Sequence, residues 1–447
     1  MTGIARTLCG LCSVFAVTAI AGSRAGAQQL NFTPDHPNDI YAVGERVGWR
    51  VAVAPGERAA PGLYRYLVKR DGMTVVDSGS FDIPSANAKV ETSLDRPGML
   101  LIEVRPPAGV TNFRGRSKSE IGRVLLGAAV APTAIRPSAP RPPDFDAFWS
   151  NEIGKLQAIP ADPVLTPGES DNPDVDYYTI KMNNIKGAHV YGQLARPSRA
   201  GRFPALLIMQ YASPPYPLQK QWVTDRAAEG WLVLNVEPHD VPSDMPQAFY
   251  DALPALIKNY TSIGTRHRED NYFLRMYLGD YRAVDYLASR PDWDGTTLVV
   301  QGMSMGGQQS FAVAGLNPKV TGLIVDVPAG CDLMGALHGR AEPYPNWDVT
   351  QPDIARTAAY FDAANFASHI KVRALVAMGF IDEIATPAGI WAAFNEMRGP
   401  KEAAPMIESP HNNFATLDQQ MPYTRRSAEW LDALMHGKDP TASGVHR

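Results

Sequence analysis

The sequence predicts an α/β fold, with a mostly parallel sheet flanked by helices, preceded by an N-terminal all-β sandwich domain. Beyond Val175, near-continuous apolar strands alternate with helix-favouring segments, a pattern typical of a sheet covered on both faces. One strand runs into a Gly-x-Ser-x-Gly pentapeptide and a helix, within residues 297–316. Between Leu30 and Leu126, short strands recur between Pro, Gly and Asp turn signals, which favours a sandwich of roughly immunoglobulin type.

Length and charge limit the possible functions. A chain of 447 residues is too long for one typical domain, so two or three are expected. The formal net charge is −4 and the sequence pI about 6.2, so nothing indicates binding to nucleic acid or to an anionic membrane surface. The hydrophobic fraction of 45% is ordinary for a globular protein with a sizeable core.

Residues 1–27 are predicted to be a signal peptide. Arg6 supplies positive charge, Leu8–Ala21 is apolar, and Ala25–Ala27 provides an A-x-A cleavage site, so the cut is expected after the last of these. The alternative is an uncleaved anchor, but a spanning helix needs about 20 apolar residues. We therefore expect a secreted or periplasmic protein. After cleavage Cys331 is the one cysteine left, which excludes an intramolecular disulfide and predicts a small buried side chain.

Residues 28–127 are predicted to form the β-sandwich. The clearest strands are Val47–Val53, Leu63–Val68 and Met99–Val104. No cluster of His, Cys or carboxylate side chains stands out there, so we expect a structural accessory role, with sugar contact as the alternative. Residues 128–143 contain five prolines among small residues, which predicts a semi-rigid linker.

Residues 144–447 are predicted to form the catalytic α/β domain. Its first helix is expected from an Asp144 N-cap to about Leu156. The expected strands are Tyr177–Met182, His189–Ala195, Pro204–Tyr211, Trp231–Val236, Leu298–Gln301, Val320–Val327, Arg373–Phe380 and Ala404–Ser409. The further expected helices are Gln219–Glu229, Asn271–Ser289, Gln308–Leu316, Pro387–Met397 and Tyr423–Met435.

The pentapeptide predicts a nucleophilic serine at Ser304. A sharp strand-to-helix turn strains the serine backbone and lifts its hydroxyl clear of the sheet. Gly302 and Gly306 are required there because side chains would collide with the neighbouring strand and helix. The turn also directs the Met305 backbone N–H, at the helix N-terminus, towards an oxyanion formed at the serine. The alternative is an ordinary Gly-rich turn, since the pentapeptide alone is a weak signal.

A serine hydroxyl needs a base to react at neutral pH, and two later residues fit the chain order serine, acid, histidine. Asp382 follows the strand Arg373–Phe380, and His411 follows the next strand. Both are expected at the carboxyl ends of strands, the edge at which Ser304 is raised. Glu383 is the alternative acid. Outside catalysis, His411 would be a loop histidine and Asp382 a helix cap.

Within residues 144–436 the sequence resembles the acetyl xylan esterase/cephalosporin C deacetylase family of α/β-hydrolases. The similar stretches are DFDAFW (144–149), YLGDYRAVDYLASRPDWD (277–294), GMSMGG (302–307), YFDAANFASHIKVRALVAMGFID (360–382) and SPHNN (409–413). The resemblance implies that Ser304, Asp382 and His411 are nucleophile, acid and base. It also implies an oxyanion hole made by the backbone N–H groups of Tyr211 and Met305.

The chain departs from the family pattern in three places. Met305 follows the serine where the family usually has Gln, and Asn412 follows the histidine where it usually has Glu. The family's Arg-Gly-Gln motif is replaced by Glu237-Pro238-His239-Asp240. The resemblance therefore leaves the natural substrate and the oligomeric state open.

Other residues have two interpretations each. Glu237, His239, Asp240 and Asp244 more readily form a polar loop than a metal site, because they lack coordination spacing. Tyr344 and Trp347 are candidates for stacking on a sugar ring, although aromatic side chains usually pack. Met303 and Met305 either line an acyl pocket or fill space.

Together these expectations describe a serine esterase that hydrolyses short acyl esters, above all acetyl esters, of carbohydrates such as acetylated xylan or xylo-oligosaccharides. No metal or organic cofactor is expected. With an unperturbed histidine pKa near 6.5, hydrolysis should be lost below about pH 6. The alternatives are a peptidase or lipase-type hydrolase on the same fold, and a non-catalytic carbohydrate-binding protein.

Overall fold

A computed structural model describes residues 30–83, 88–111, 113–115, 121–212, 218–243, 245–253 and 255–443. The predicted signal peptide, residues 1–27, lies outside the described residues, as does Asp244. In the described part of the chain, no helix is both long and apolar enough to cross a membrane.

The N-terminal region is a sandwich of two sheets. Its strands are β1 (Leu30–Pro34), β2 (Ile40–Tyr41), β3 (Arg46–Val53), β4 (Leu63–Arg70), β5 (Thr74–Asp82), β6 (Lys89–Ser93), β7 (Gly98–Arg105) and β8 (Val124–Val130). One sheet has the order β1-β3-β6 and the other β2-β8-β7-β4-β5. Buried side chains from both sheets, among them Trp49, Tyr64 and Leu126, form the core between them. The predicted N-terminal β-structure is confirmed.

Two strands of the larger sheet of the sandwich, β7 and β8, are buried on both faces. Seven of the eight residues of β7, and every residue of β8, are buried. In an antiparallel sheet with one solvated face, buried and exposed residues would alternate. The second face of β7 and β8 is covered by the C-terminal domain instead, since Met99 and Ala129 belong to that domain's core.

Strand β8 ends at Val130, which is three residues into the segment predicted to be a linker. The rest of this segment lies on the C-terminal domain. Asn395 donates its side-chain N–H groups to the carbonyls of Pro132 and Ile135, each at 2.8 Å. Ser138 donates to the Asp332 carboxylate at 2.7 Å. The proline-rich segment is therefore a fixed part of the structure rather than a free spacer.

The C-terminal domain contains one sheet of nine strands in the order β17-β16-β15-β14-β12-β13-β11-β10-β9. These strands are β9 (Val164–Gly168), β10 (Val175–Asn183), β11 (His189–Pro197), β12 (Phe203–Met209), β13 (Leu232–Val236), β14 (Trp293–Met303), β15 (Gly322–Asp326), β16 (Arg373–Gly379) and β17 (Lys401–Met406). The six neighbouring strands β17, β16, β15, β14, β12 and β13 are parallel, whereas β11, β10 and β9 pair antiparallel.

Helices cover both faces of this sheet. They are α1 (Phe145–Gln157), α2 (Gln221–Glu229), α3 (Gln247–Asp251), α4 (Ala255–Lys258), α5 (Tyr272–Ser289), α6 (Met305–Leu316), α7 (Pro352–Ala358), α8 (Ala363–Ala367), α9 (Pro387–Glu396) and α10 (Met421–Met435). Helix α6 is the central one, and its residues are buried from Met305 to Ala314. Because α6 lies in the interior, it fixes the position of Ser304, the residue directly before it.

Strand β17 is displaced from its predicted position, being expected at Ala404–Ser409 and observed at Lys401–Met406. Its polar first residues do not look like a strand in the sequence. They pair with β16, and Glu402 accepts hydrogen bonds from Arg426 of α10 at 2.6 Å. Tertiary contacts therefore override the local pattern, and His411 lies on a loop beyond the strand rather than beside its end.

Candidate active site

Ser304 lies on the sharp turn between β14 and α6. Its backbone has φ 56° and ψ −120°, a strained conformation for a residue with a side chain. The Ser304 N–H donates to the Asp326 carbonyl of β15 at 3.0 Å, which ties the turn to the sheet. A Cβ at Gly306 would overlap with the Met209 carbonyl oxygen and lie 2.9 Å from that of Gln210. The turn therefore requires glycine at that position, as the sequence predicts.

The structure brings Ser304, His411 and Asp382 into one hydrogen-bonded row. His411 Nε2 lies 2.8 Å from Ser304 Oγ, and His411 Nδ1 lies 2.7 Å from Asp382 Oδ2. All three are buried, with 6%, 7% and 3% of their surfaces exposed respectively. Because Asp382 accepts the Nδ1–H, the Nε2 atom is left to accept the serine hydroxyl proton.

The parallel register of the sheet explains why these residues meet. Strands β14, β15, β16 and β17 are neighbours and end at the same edge. Ser304 follows β14, Asp382 follows β16 and His411 follows β17, so the three side chains converge there. Asp382 is held by a turn of its own, since its Oδ1 accepts the backbone N–H groups of Ile384 and Ala385, each at 2.8 Å.

The electrostatics of the site favour a charged histidine. Burial opposes the charged form, but the charge and hydrogen bond of Asp382, together with the charge of Asp326, raise the pKa of His411 above its usual value. The Asp326 carboxyl is itself buried, and burial raises its pKa to about 7, with His411 acting to lower it and Asp382 to raise it. The site therefore contains a second carboxyl group beside the histidine.

The backbone N–H groups expected to hold an oxyanion lie on two adjoining segments. Met305 is the first residue of α6, so its N–H belongs to the helix-terminal amides that have no acceptor within the helix. Tyr211 follows β12, and the preceding residue is tied to α6 because Gln309 donates its side-chain N–H to the Gln210 carbonyl at 3.1 Å. The segment before Tyr211 also lies against the serine turn, through Gly306.

The Met305 side chain points into the interior. It is fully buried, and the hydroxyls of Tyr260 and Tyr344 lie 3.1 and 3.3 Å from its sulfur. These two hydroxyls lie 2.6 Å from each other. Met305 therefore fills space, and the partly buried Tyr344 packs against it.

Trp347 does not fit its predicted role as a sugar-stacking residue. Only 4% of its surface is exposed, and its ring packs edge-on against Phe273 and Phe361. Its indole N–H donates to the Thr261 carbonyl at 2.6 Å. A buried ring offers no face to a sugar, so Trp347 is a packing residue and the prediction was wrong.

The Glu237–Asp240 segment forms a buried polar loop. His239 lies 2.8 Å from the Tyr272 hydroxyl, and Asp240 accepts the His189 backbone N–H at 3.0 Å. Burial raises the pKa of Glu237 well above its usual range. Among the residues that the structure describes, no group of three or more His, Cys, Asp or Glu side chains is arranged to hold a metal ion.

Glu383, the alternative acid, lies away from the histidine. Its carboxylate pairs at 3.2 Å with Arg123, the residue directly before β8, and 43% of the Glu383 side chain is exposed. Asp382, in contrast, is in direct contact with His411. Geometry thus favours Asp382 over its neighbour.

Cys331 is buried, as the sequence predicts, and burial raises the pKa of its thiol.

Sequence reasoning missed Asp326 and Tyr260. Asp326 ends β15, the strand between those that precede Ser304 and Asp382, so the rule that located the other residues also applies to it. Tyr260 had no comparable signal. It lies in a short 3₁₀ turn, Tyr260–Ser262, whose position beside Met305 depends on the tertiary fold.

The sheet order, the serine turn and the converging side chains define an α/β-hydrolase, and comparison with known proteins identifies a carboxylic ester hydrolase. The chain belongs to the Acetyl xylan esterase (AXE1) family, whose sequence pattern matches residues 133–427. The predicted resemblance and fold class are therefore confirmed.

Individual relatives agree with this assignment. The chain is 26% identical to the acetyl esterase Axe7A of Xylanibacter ruminicola over 409 residues, covering 87% of this chain and 90% of the relative. The C-terminal domain alone is too short to account for that share, so the similarity includes part of the N-terminal β-region.

Two solved structures show the same fold. An acetyl xylan esterase from Paenibacillus sp. R4 has a TM-score of 0.54 at 23% identity, covering 65% of this chain and 96% of that one. Acetyl Xylan Esterase 1 from Thermoanaerobacterium sp. JW/SL YS485 has a TM-score of 0.54 at 18% identity, covering 66% and 96%.

Proposed function

We propose that this protein is a serine esterase that removes acetyl groups from carbohydrate hydroxyls, such as those of acetylated xylan or xylo-oligosaccharides. The observation that carries the proposal is the continuous row from Asp382 through His411 to Ser304, with contacts of 2.7 and 2.8 Å. Membership in the acetyl xylan esterase family supports the choice of ester.

In the proposed mechanism, Ser304 is the nucleophile and His411 the base. His411 Nε2 takes the hydroxyl proton as Ser304 Oγ attacks the acetyl carbonyl carbon. The tetrahedral intermediate places its negative oxygen near the N–H groups of Met305 and Tyr211, which stabilise it. The carbon–oxygen bond to the sugar then breaks, and the sugar alkoxide leaves with the proton from His411.

The second half of the reaction uses the same groups. His411 takes a proton from water, the resulting hydroxide attacks the acetyl-serine, and acetate leaves as Ser304 recovers its proton. Asp382 keeps His411 in the tautomer that accepts at Nε2 and stabilises its charged form in both steps. No metal or organic cofactor takes part in this sequence.

Hydrolysis assays test the proposal. We expect turnover of p-nitrophenyl acetate and release of acetate from acetylated xylo-oligosaccharides, both abolished in Ser304→Ala. A fluorophosphonate should label the wild-type protein at Ser304 and leave the variant unlabelled, because only an activated serine reacts. Absence of labelling and turnover would favour a non-catalytic carbohydrate-binding protein. Faster hydrolysis of peptides or long-chain esters would favour a peptidase or lipase.

We also propose that the protein is exported, because residues 1–27 have the pattern of a cleavable signal peptide. The mature chain should then begin at Gln28. N-terminal sequencing of the protein recovered from the periplasm or the medium tests this, and an intact N-terminus on a membrane-bound form would support an uncleaved anchor instead.

A further inference from the structure

The N-terminal β-sandwich contacts the loop that carries Asp382. We infer that the outer face of β7 and β8 holds this acid loop, residues 380–383, in position for catalysis, with Leu125 as the principal positioning residue. The inference rests on the proposed function, because it concerns the orientation of Asp382 towards His411. It gives the N-terminal region a role in the reaction.

An apolar contact joins the two domains beside the carboxylate. Leu125 of β8 and Leu101 of β7 form a small cluster with Ile381, separate from the cores of both domains. Their exposed fractions are 1%, 7% and 1% respectively. Ile381 directly precedes Asp382, so a shift of its side chain moves the carboxylate as well.

The backbones of the two domains also touch at this point. A Cβ at Gly127 would lie 2.6 Å from both the carbonyl oxygen and the Cβ of Phe380. Strand β8 therefore approaches the acid loop so closely that only glycine fits. Gly127 and Leu125 are two residues apart on one strand, so they face the same side and contact successive residues of the loop.

The acid loop has free volume beside it. A cavity of about 140 Å³, partly open to solvent, lies between the domains and is lined by residues of both, including Leu101, Phe380 and Asp382. The loop could move into this space if the apolar contact were lost. The Arg123–Glu383 ion pair contributes little to holding the loop, because 43% of the Glu383 side chain is exposed.

Two neighbouring leucines provide a matched test. Leu125 and Leu126 lie side by side on β8 and are 1% and 0% exposed, but Leu126 belongs to the interior of the sandwich. We expect Leu125→Ala and Leu126→Ala both to lower Tm. At a temperature where both are folded by circular dichroism, only Leu125→Ala should lower kcat for p-nitrophenyl acetate, on the order of 10- to 100-fold, with KM unchanged.

A pH profile separates positioning from general destabilisation. Two carboxyl groups raise the pKa of His411: that of Asp382, which contacts the histidine, and that of Asp326. If Leu125→Ala displaces Asp382, the acid limb of the kcat profile should move to lower pH, because the histidine loses part of the charge that favours its protonated form. Leu126→Ala should leave that limb in place.

A double variant tests whether Leu125 acts through Asp382. In an Asp382→Asn background, adding Leu125→Ala should cause no further loss of kcat, because the carboxylate that it positions is already gone. Leu125→Val, a smaller change that serves if the alanine variant does not fold, should show the same pattern with a smaller loss. Leu125→Met, in contrast, should retain most of the wild-type kcat.

The outcomes are distinguishable. With Ser304→Ala inactive, either of two results would overturn the inference. One is equal kcat values for Leu125→Ala and Leu126→Ala. The other is that Leu125→Ala lowers kcat by the same factor in the wild-type and the Asp382→Asn backgrounds. Undiminished hydrolysis by Ser304→Ala would instead overturn the proposed function, and the inference with it.

Discussion

Replacing Asp382 with asparagine is the sharpest test of the proposed mechanism, because the structure dictates how the new side chain must sit. Asp382 Oδ1 accepts two backbone N–H groups at 2.8 Å each, so the oxygen of an asparagine amide would take that position. Its NH₂ group would then face His411 Nδ1 at the 2.7 Å contact. A donor at that place reverses the histidine tautomer, because Nδ1 must accept and Nε2 must carry the proton.

The expected magnitude follows from this reversal. A protonated Nε2 cannot accept the Ser304 hydroxyl, so the base is lost although the shape of the site is kept. In other serine hydrolases the same change lowers kcat on the order of 10⁴-fold, which corresponds to ~5.5 kcal/mol in the activation free energy. We therefore expect a loss of about this size with p-nitrophenyl acetate. Tm should change little, because both backbone hydrogen bonds are preserved.

Glu383→Gln is the matched control for this experiment. It removes the neighbouring carboxylate, which is exposed and paired with Arg123, so kcat should stay within about threefold of the wild type. The reasoning is refuted if Glu383→Gln shows the large loss, or if Asp382→Asn retains more than about a tenth of the wild-type kcat. Either result would mean that the contact between Asp382 and His411 does not set the tautomer.

Three further predictions concern pH, the serine turn and packing. The raised pKa of His411, which Asp382 and Asp326 cause against the effect of burial, means that the base is lost as pH falls through a value above 6.5. Half-maximal kcat should thus lie at a higher pH than the value near 6 expected from the sequence, and a midpoint below 6.5 would contradict this. Gly306→Ala should lose soluble expression or turnover more than about 100-fold, because its Cβ would overlap with a carbonyl oxygen of β12; a fully active variant would disprove the tight turn. Trp347→Ala should lower the free energy of unfolding by ~3–5 kcal/mol in urea titrations, with KM for acetylated xylo-oligosaccharides unchanged, and a raised KM at unchanged stability would support sugar stacking instead.

The candidate triad could be predicted from the sequence because it depends on strand order alone. Each of Ser304, Asp382 and His411 follows a strand of the parallel part of the sheet, and neighbouring parallel strands end at one edge of the sheet. Asp326 satisfies the same rule and was overlooked because it sits at the end of an apolar run without a motif around it. The rule locates the edge, but it does not say which of several carboxyl groups faces the histidine.

Burial of a single side chain was less predictable. Trp347 looked available to a substrate because it follows two prolines in an apparent insert. Its ring is covered by Phe361 and by Phe273 of α5, and Phe273 is far from it in the chain. Whether an aromatic residue packs or binds depends on such distant partners, and the local sequence carries no record of them.

The apolar runs of β7 and β8 show what the sequence predicts about packing and what it leaves undetermined. A sandwich strand with one solvated face alternates polar and apolar residues, yet GMLLIEVR and VLLGAAV scarcely alternate. That departure indicates that something covers the second face. The pattern does not identify the segment that covers this face, because Ile381 lies more than 250 residues beyond Leu125. Once the fold joins them, the apolar face of β7 and β8 is placed against the acid loop, where packing can influence a proton transfer.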